Sequence, residues 1–130
     1  MKVFTLKKRK DFLEAAKGFK VVTNGLVLQA ASPLSALNSD FCYVGYTVTK
    51  KIGKAHVRNF TKRRLRAAAQ IVFSEHAMPQ VNYVLIGRHN TSNLDFKYLI
   101  KKMKNAVIDI NRQIESQEKQ NDKKFDDFID

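Results

Sequence analysis

The segment Lys50–Arg66, KKIGKAHVRNFTKRRLR, constrains this chain more than any other. It carries eight cations (Lys50, Lys51, Lys54, Arg58, Lys62, Arg63, Arg64 and Arg66) and no acid. On a helix of about 3.6 residues per turn, Lys54, Arg58, Lys62 and Arg66 fall in one stripe, widened by Asn59 and Arg63. Val57, Thr61, Leu65, Ala68 and Val72 recur on the other side, at the spacing of a face packed on a core. Such a helix buries one face and offers the other to something negative and extended. The ordinary reading of a charge run is a solvated face. Solvated faces, however, mix Glu with Lys at i, i+4, which relieves self-repulsion. Here every charged neighbour has the same sign, and Arg outnumbers Lys from Arg58 onward. Arginine's planar fork matches phosphate bidentately, so a polyanion is the expected partner.

The segments on either side place this helix in a strand–helix–strand unit. Phe41–Thr49 alternates, with Phe41, Tyr43, Gly45, Thr47 and Thr49 on one face and Cys42, Val44, Tyr46 and Val48 on the other. The helix is expected to run to about His76, where Met78-Pro79 breaks it. Val81–Gly87 is nearly continuously apolar, as in a sheet interior. Ahead of the unit, Thr5 is expected to cap a helix over Leu6–Lys17 with Leu6, Phe12, Leu13 and Ala16 inward and Gly18 at its end. Asn24-Gly25 reads as a turn leading into a strand at Leu26–Ala30, and Ser32–Asp40 as a polar loop. After the unit, Ser92-Asn93-Leu94-Asp95 reads as a capping box. It opens a helix to about Ile114, with Phe96, Leu99, Met103, Ala106, Ile110 and Ile114 as its core stripe.

At 130 residues the chain is expected to be one domain, residues 1–114, followed by an acidic, disordered tail, 115–130. That tail carries −3, so out of a total of +12 the folded part holds +15. Charge of this size points to nucleic acid or an anionic membrane. No apolar run approaches membrane-spanning length and the N-terminus lacks a signal-like segment, so an intracellular, cytoplasmic protein is expected, with no membrane partner. A single cysteine, Cys42, excludes an intramolecular disulfide and is expected as a small buried side chain.

No catalytic constellation is legible. His56, His76 and His89 lie in three separate contexts, and there is no Walker A loop, GxGxxG or GxSxG. Paired carboxylates are reduced to Asp11 and Glu14, which speaks against a nuclease made by this chain alone. A strand precedes the basic helix where a helix-turn-helix would need a helix. Phe41, Tyr43, Tyr46 and Tyr83 are open to two readings: core or edge packing, or stacking on unpaired bases. On these grounds the polyanion stays open between RNA, including structured RNA coated by a ribosomal or RNA-chaperone protein, and duplex DNA bound by a regulator.

The run TVTKKIGKAHVRNFTKRRLR closely resembles the signature of the bacterial ribonuclease P protein subunits, the basic partners of a catalytic P RNA. The resemblance rests on Lys50-Lys51-Ile52-Gly53, Ala55, Arg58-Asn59, Lys62-Arg63 and Leu65-Arg66. It extends to Leu6 and Asp11-Phe12, to Tyr43-Val44-Gly45 and to Tyr83–Arg88, and covers most of residues 5–112. It implies an α+β fold: a two-layer α/β sandwich with a mixed sheet of about four strands, flanking helices and a left-handed strand–helix–strand crossover, against the usual hand. It also implies an endoribonuclease that works as a ribonucleoprotein, with magnesium held mainly by the RNA, no metal site or catalytic residue in the protein, and no small-molecule substrate. By the same resemblance Lys54, Arg58, Asn59, Lys62, Arg63 and Arg66 would meet P RNA, and Phe12, Tyr43, Lys50 and Lys51 the 5′ leader of precursor tRNA. The chain departs from the family pattern at Phe60, where a second arginine is usual, and at Ala16 and Gln29, often aromatic in the leader cleft. Phe19 or Tyr43 would then have to supply the stacking.

Overall fold

The computed structural model describes residues 1–31 and 40–129, with side chains through Gln120. Its elements are β1 (Lys2–Thr5), α1 (Arg9–Lys17), β2 (Phe19–Thr23), β3 (Leu26–Ala30), β4 (Phe41–Thr47), α2 (Ala55–His76), β5 (Asn82–Gly87) and α3 (Phe96–Ile129), with a single 3-10 turn at Lys50–Ile52. The five strands form one mixed sheet in the order β1-β4-β5-β3-β2. β1, β4 and β5 are parallel, and β3 and β2 add antiparallel on the other side.

β5 lies at the centre, and its unbroken apolar sequence is the consequence. Tyr83 and Leu85 point into the core shared with α2 and α3, while Val84 and Ile86 point to the face covered by α1. β4 sorts its residues as its alternation predicts, with Cys42, Val44, Tyr46 and Val48 toward α2 and α3 and Tyr43 toward α1. Cys42 is fully buried, and burial pushes its thiol up to about 11. α2 crosses from β4 to its parallel neighbour β5, burying Thr61, Leu65, Ala68, Ala69, Val72 and Phe73.

α2 and α3 run the same way, tied at two levels. At the start, the Arg64 guanidinium donates to the Leu94 carbonyl. At the finish, the Tyr83 hydroxyl accepts from Met78 N–H at 2.9 Å and donates to Asn111 Oδ1 at 2.6 Å. Asn111 Nδ2 in turn donates to the His76 carbonyl at 2.8 Å. The buried phenol is thereby satisfied on both sides, as a polar group inside a core must be.

Several expectations from the sequence give way. The sheet has five strands because Lys2–Thr5 pairs with β4 as an edge strand, so Thr5 ends a strand and caps no helix. α1 starts only at Arg9, and its buried residue is Ala15, with Phe12 half-buried. Leu13 is 50% exposed and Ala16 also faces outward, because Phe12 and Ala15, three residues apart, define the inward line. The cap of α3 is Asp95, whose carboxylate accepts from Tyr98 N–H at 3.3 Å, in place of a box begun at Ser92. α3 also continues as helix past Ile114 to Ile129, along the segment expected to be an irregular tail, and residues 115–120 are exposed. Of the expected polar loop only Asp40 is described; 32–39 lie outside the described residues.

Gly45 sets how closely α1 approaches the sheet. A Cβ there would lie 2.5 Å from the Phe12 ring and 3.2 Å from Leu6 Cβ. Gly45→Val is therefore expected to destabilise the chain by about 1–3 kcal/mol, the usual cost of overpacking. Chemical denaturation measures this, and an unchanged midpoint would show that Phe12 does not fix the seat of α1.

Candidate nucleic-acid interface

The basic helix begins from a strained corner. After β4, the 3-10 turn ends at Gly53, whose φ of +150° favours glycine. Lys54 then takes the N-cap position without a side-chain cap hydrogen bond, and no acid occupies the first turn of α2. The positive end of the helix dipole is therefore left unneutralised, and the cations of the next three turns add to it.

The predicted surface is assembled largely as the wheel implied. Lys54, Asn59, Arg63 and Arg66 are exposed, and Arg58 and Lys62 half-buried. Asn59, Lys62, Arg63 and Arg66 line an open depression of about 380 Å³ together with His56 and Phe60, while Lys54 and Arg58 lie outside it. Among the described residues the one contact within ion-pair distance is between His76 and Glu75, 3.7 Å apart at the far end of α2. No described carboxylate pairs with these cations. Arg66 is also steadied from below, its guanidinium 5.5 Å from the centre of the Tyr46 ring. Burial pushes the Tyr46 phenol up to about 12, with Arg66 opposing that shift.

Arg64 leaves the charged face. Its guanidinium lies 5.7 Å from both the Phe60 and the Phe96 rings and ties α2 to the start of α3, while its Nε is buried without a partner. Phe60 is 39% exposed and has Arg63 within 5.4 Å of its ring. The residue that breaks the family pattern thus shields one arginine and flanks another. No sequence signal marks a cation whose acceptor is a carbonyl thirty residues away.

The residues assigned to the leader are split. Phe12 and Tyr43 pack around the smaller core of Leu6, Ala15 and Val84 on the α1 side of the sheet. Tyr43 also lines an open groove of about 380 Å³ with Lys7, Lys8, Asp11 and Asn82. Lys50 and Lys51 sit beyond the other end of β4, in the 3-10 turn that follows it. They neighbour the N-terminus of α2, not the groove. Phe19 cannot supply stacking beside Phe12, because it packs into the core under α2 and α3. Gln29 pairs with Val84 and so shares the α1 face, where it brings no ring. Nothing in the sequence singles out Lys7 and Lys8, and their place in the groove depends on a strand, β1, too short to read.

Among the described residues no three His, Cys, Asp or Glu side chains gather as a metal site, and no helix is long and apolar enough to cross a membrane. The arrangement offers cations, an amide and aromatic rings, which is equipment for holding RNA.

Comparison with known proteins gives one family. The family model for Ribonuclease P matches residues 1–111. The ribonuclease P protein component of Gluconacetobacter diazotrophicus is 46% identical over 103 residues, covering 78% of this chain and 86% of the relative. That of Paramagnetospirillum magneticum is 44% identical over 105 residues, covering 78% of each. Among solved structures, the RNase P protein from Thermotoga maritima matches with a TM-score of 0.68 at 25% identity, covering 82% of this chain and 96% of that one. The Staphylococcus aureus RNase P protein, at 22% identity and a TM-score of 0.64 over 80% of this chain and 92% of that one, shares the fold. With a one-sided cationic crossover helix on this sheet and a matching model over nearly all of the described core, the chain belongs to the ribonuclease P protein family.

Proposed function

We propose that this ribonuclease P protein assists a catalytic P RNA in removing the 5′ leader from precursor tRNA and contributes no catalytic group of its own. The observation that carries the reading is the cationic face of α2, unpaired among the described residues and held outward by the burial of its opposite face. Lys54, Arg58, Asn59, Lys62, Arg63 and Arg66 neutralise and grip phosphates of P RNA. Phe12 and Tyr43 on the α1 side meet the leader, and Lys50 and Lys51, in the turn that leads from β4 into α2, neutralise leader phosphates beside the RNA. The protein's effect is binding energy: it screens phosphates that repel one another and holds the substrate in register. Magnesium is assigned mainly to the RNA of the holoenzyme. The phosphodiester is hydrolysed to leave a 5′-phosphate on the mature tRNA, in the cytoplasm.

A ribosomal or chaperone-type role would need the same charge but no effect on processing, and nothing in the family match favours it. Reconstitution separates the two. The purified chain alone is expected to cleave nothing, and to restore cleavage of precursor tRNA by P RNA at moderate magnesium. Cleavage without RNA that survives repurification would overturn the assignment of catalysis, and no stimulation would overturn the function.

With about five phosphate contacts, log K for P RNA should fall against log salt with a slope of roughly −3.5 to −4.5. Arg58→Ala should make that slope shallower by about 0.7–0.9 and weaken P RNA assembly more than leader affinity. Equal small changes in both affinities, with an unchanged slope, would remove Arg58 from the interface.

A further inference from the structure

On the α1 side of the sheet, three aromatic rings meet at the edge where β1 joins β4. Phe4, Phe41 and Tyr43 form a triangle with 5.7 Å between every pair of ring centres. Two contacts are edge-to-face, at 74° and 89°, and the third is tilted at 37°. Each ring therefore holds its neighbour's orientation, the arrangement aromatic pairs prefer. The cluster is not closed over. Phe4 is 46% exposed, on the strand that forms the edge of the sheet among the described residues, and Phe41 and Tyr43 are half-buried.

Charge surrounds the rings on both sides. Lys2 lies opposite Phe41 in the register, and the exposed Lys7 and Lys8 line the groove that Tyr43 enters. Asp11 and Asn82 share that groove and give it a carboxylate and an amide. Oriented rings interleaved with flexible cations, beside groups able to meet a base edge, are what a single-stranded nucleic acid requires. A duplex would leave the rings unused, since its bases are already stacked.

The rest of the α1 face lacks such rings. Ala16 and Gln29 bring none, Phe19 faces the opposite core, and the Phe12 ring is packed over Gly45. We propose that Phe4, Phe41 and Tyr43 form a stacking platform for unpaired bases of the 5′ leader, with Lys7 and Lys8 on its phosphates. This rests on the leader-binding reading above and moves its stacking element to the β1–β4 edge. Phe4 is the sharpest probe because its ring is the most exposed of the three.

The test uses the reconstituted holoenzyme, precursor tRNA carrying a leader, and mature tRNA without one. Phe4→Ala and Phe4→Leu should each weaken binding of the leader-bearing precursor by about fivefold or more and leave mature tRNA unchanged. Phe4→Trp should keep the affinity, and abasic nucleotides in the leader should erase the difference between parent and variant. The leucine variant retains an apolar side chain at the edge, so its loss reports the ring and not the fold. If Phe4→Leu matches the parent while the parent still prefers the leader-bearing precursor, the platform is wrong and leader binding stands. If the parent binds both RNAs equally, both fall. If Phe4→Leu alters sedimentation of the free chain but not leader affinity, the rings cover a second copy and the proposal is overturned.

Discussion

Burial of one side of α2 holds together a helix whose other side repels itself. Lys54, Arg58, Lys62 and Arg66 make three like-charge pairs at i, i+4, each costing about 0.2–0.5 kcal/mol. Against them stand Leu65, Val72 and Phe73, nearly or fully inaccessible, and each such side chain contributes about 1.5–3 kcal/mol on burial. Packing therefore exceeds repulsion several-fold, and the helix is stable only because the sheet and α3 are there to receive it. The same packing decides which way the charge points. Rotating α2 by even one residue would withdraw Lys62 and Arg66 and expose Leu65.

The sheet gives this helix a fixed frame and separates two surfaces. β5, covered on both faces, anchors α2 and α3 through Tyr83 and Leu85 and α1 through Val84 and Ile86. The cations of α2 thus belong to one layer and the groove of Tyr43, Lys7 and Lys8 to the other. Gly45 lets the α1 layer close onto the sheet, and Gly53 turns the chain from β4 toward α2. Charge alone would attract RNA without orienting it; under the proposed function the fixed relation between the layers lets P RNA and the leader of a precursor tRNA be held at once.

Much of this was legible because long periodic segments carry redundant signal. α2 declares itself over twenty-two residues and β4 by alternation. The cationic stripe follows from helical geometry alone. β1 is four residues long and pairs with a strand some forty residues away, so nothing local distinguishes it from a loop. Missing it misplaced the start of α1, and with it the inward line of Ala15. Phe19 was offered for stacking because composition cannot assign a ring to a face; only its pairing with Ala30 does so. Arg64 illustrates a further limit, since its removal from the charged face depends on the Leu94 carbonyl and on rings from two helices. The residues left open which polyanion the helix meets, and the expectation of P RNA came from the family resemblance alone.

Lysine acetylation footprinting tests the division between the two layers most directly. The reactivity of each lysine would be read by mass spectrometry for the free chain, with P RNA, and with P RNA plus leader-bearing precursor tRNA. P RNA alone should protect Lys54 and Lys62 and leave Lys7 and Lys8 reactive until the precursor is added. Lys101, Lys104 and Lys119, exposed on α3, should stay reactive throughout. Protection of Lys7 and Lys8 by P RNA alone, with Lys54 and Lys62 unchanged, would contradict the assignment of α2 to P RNA.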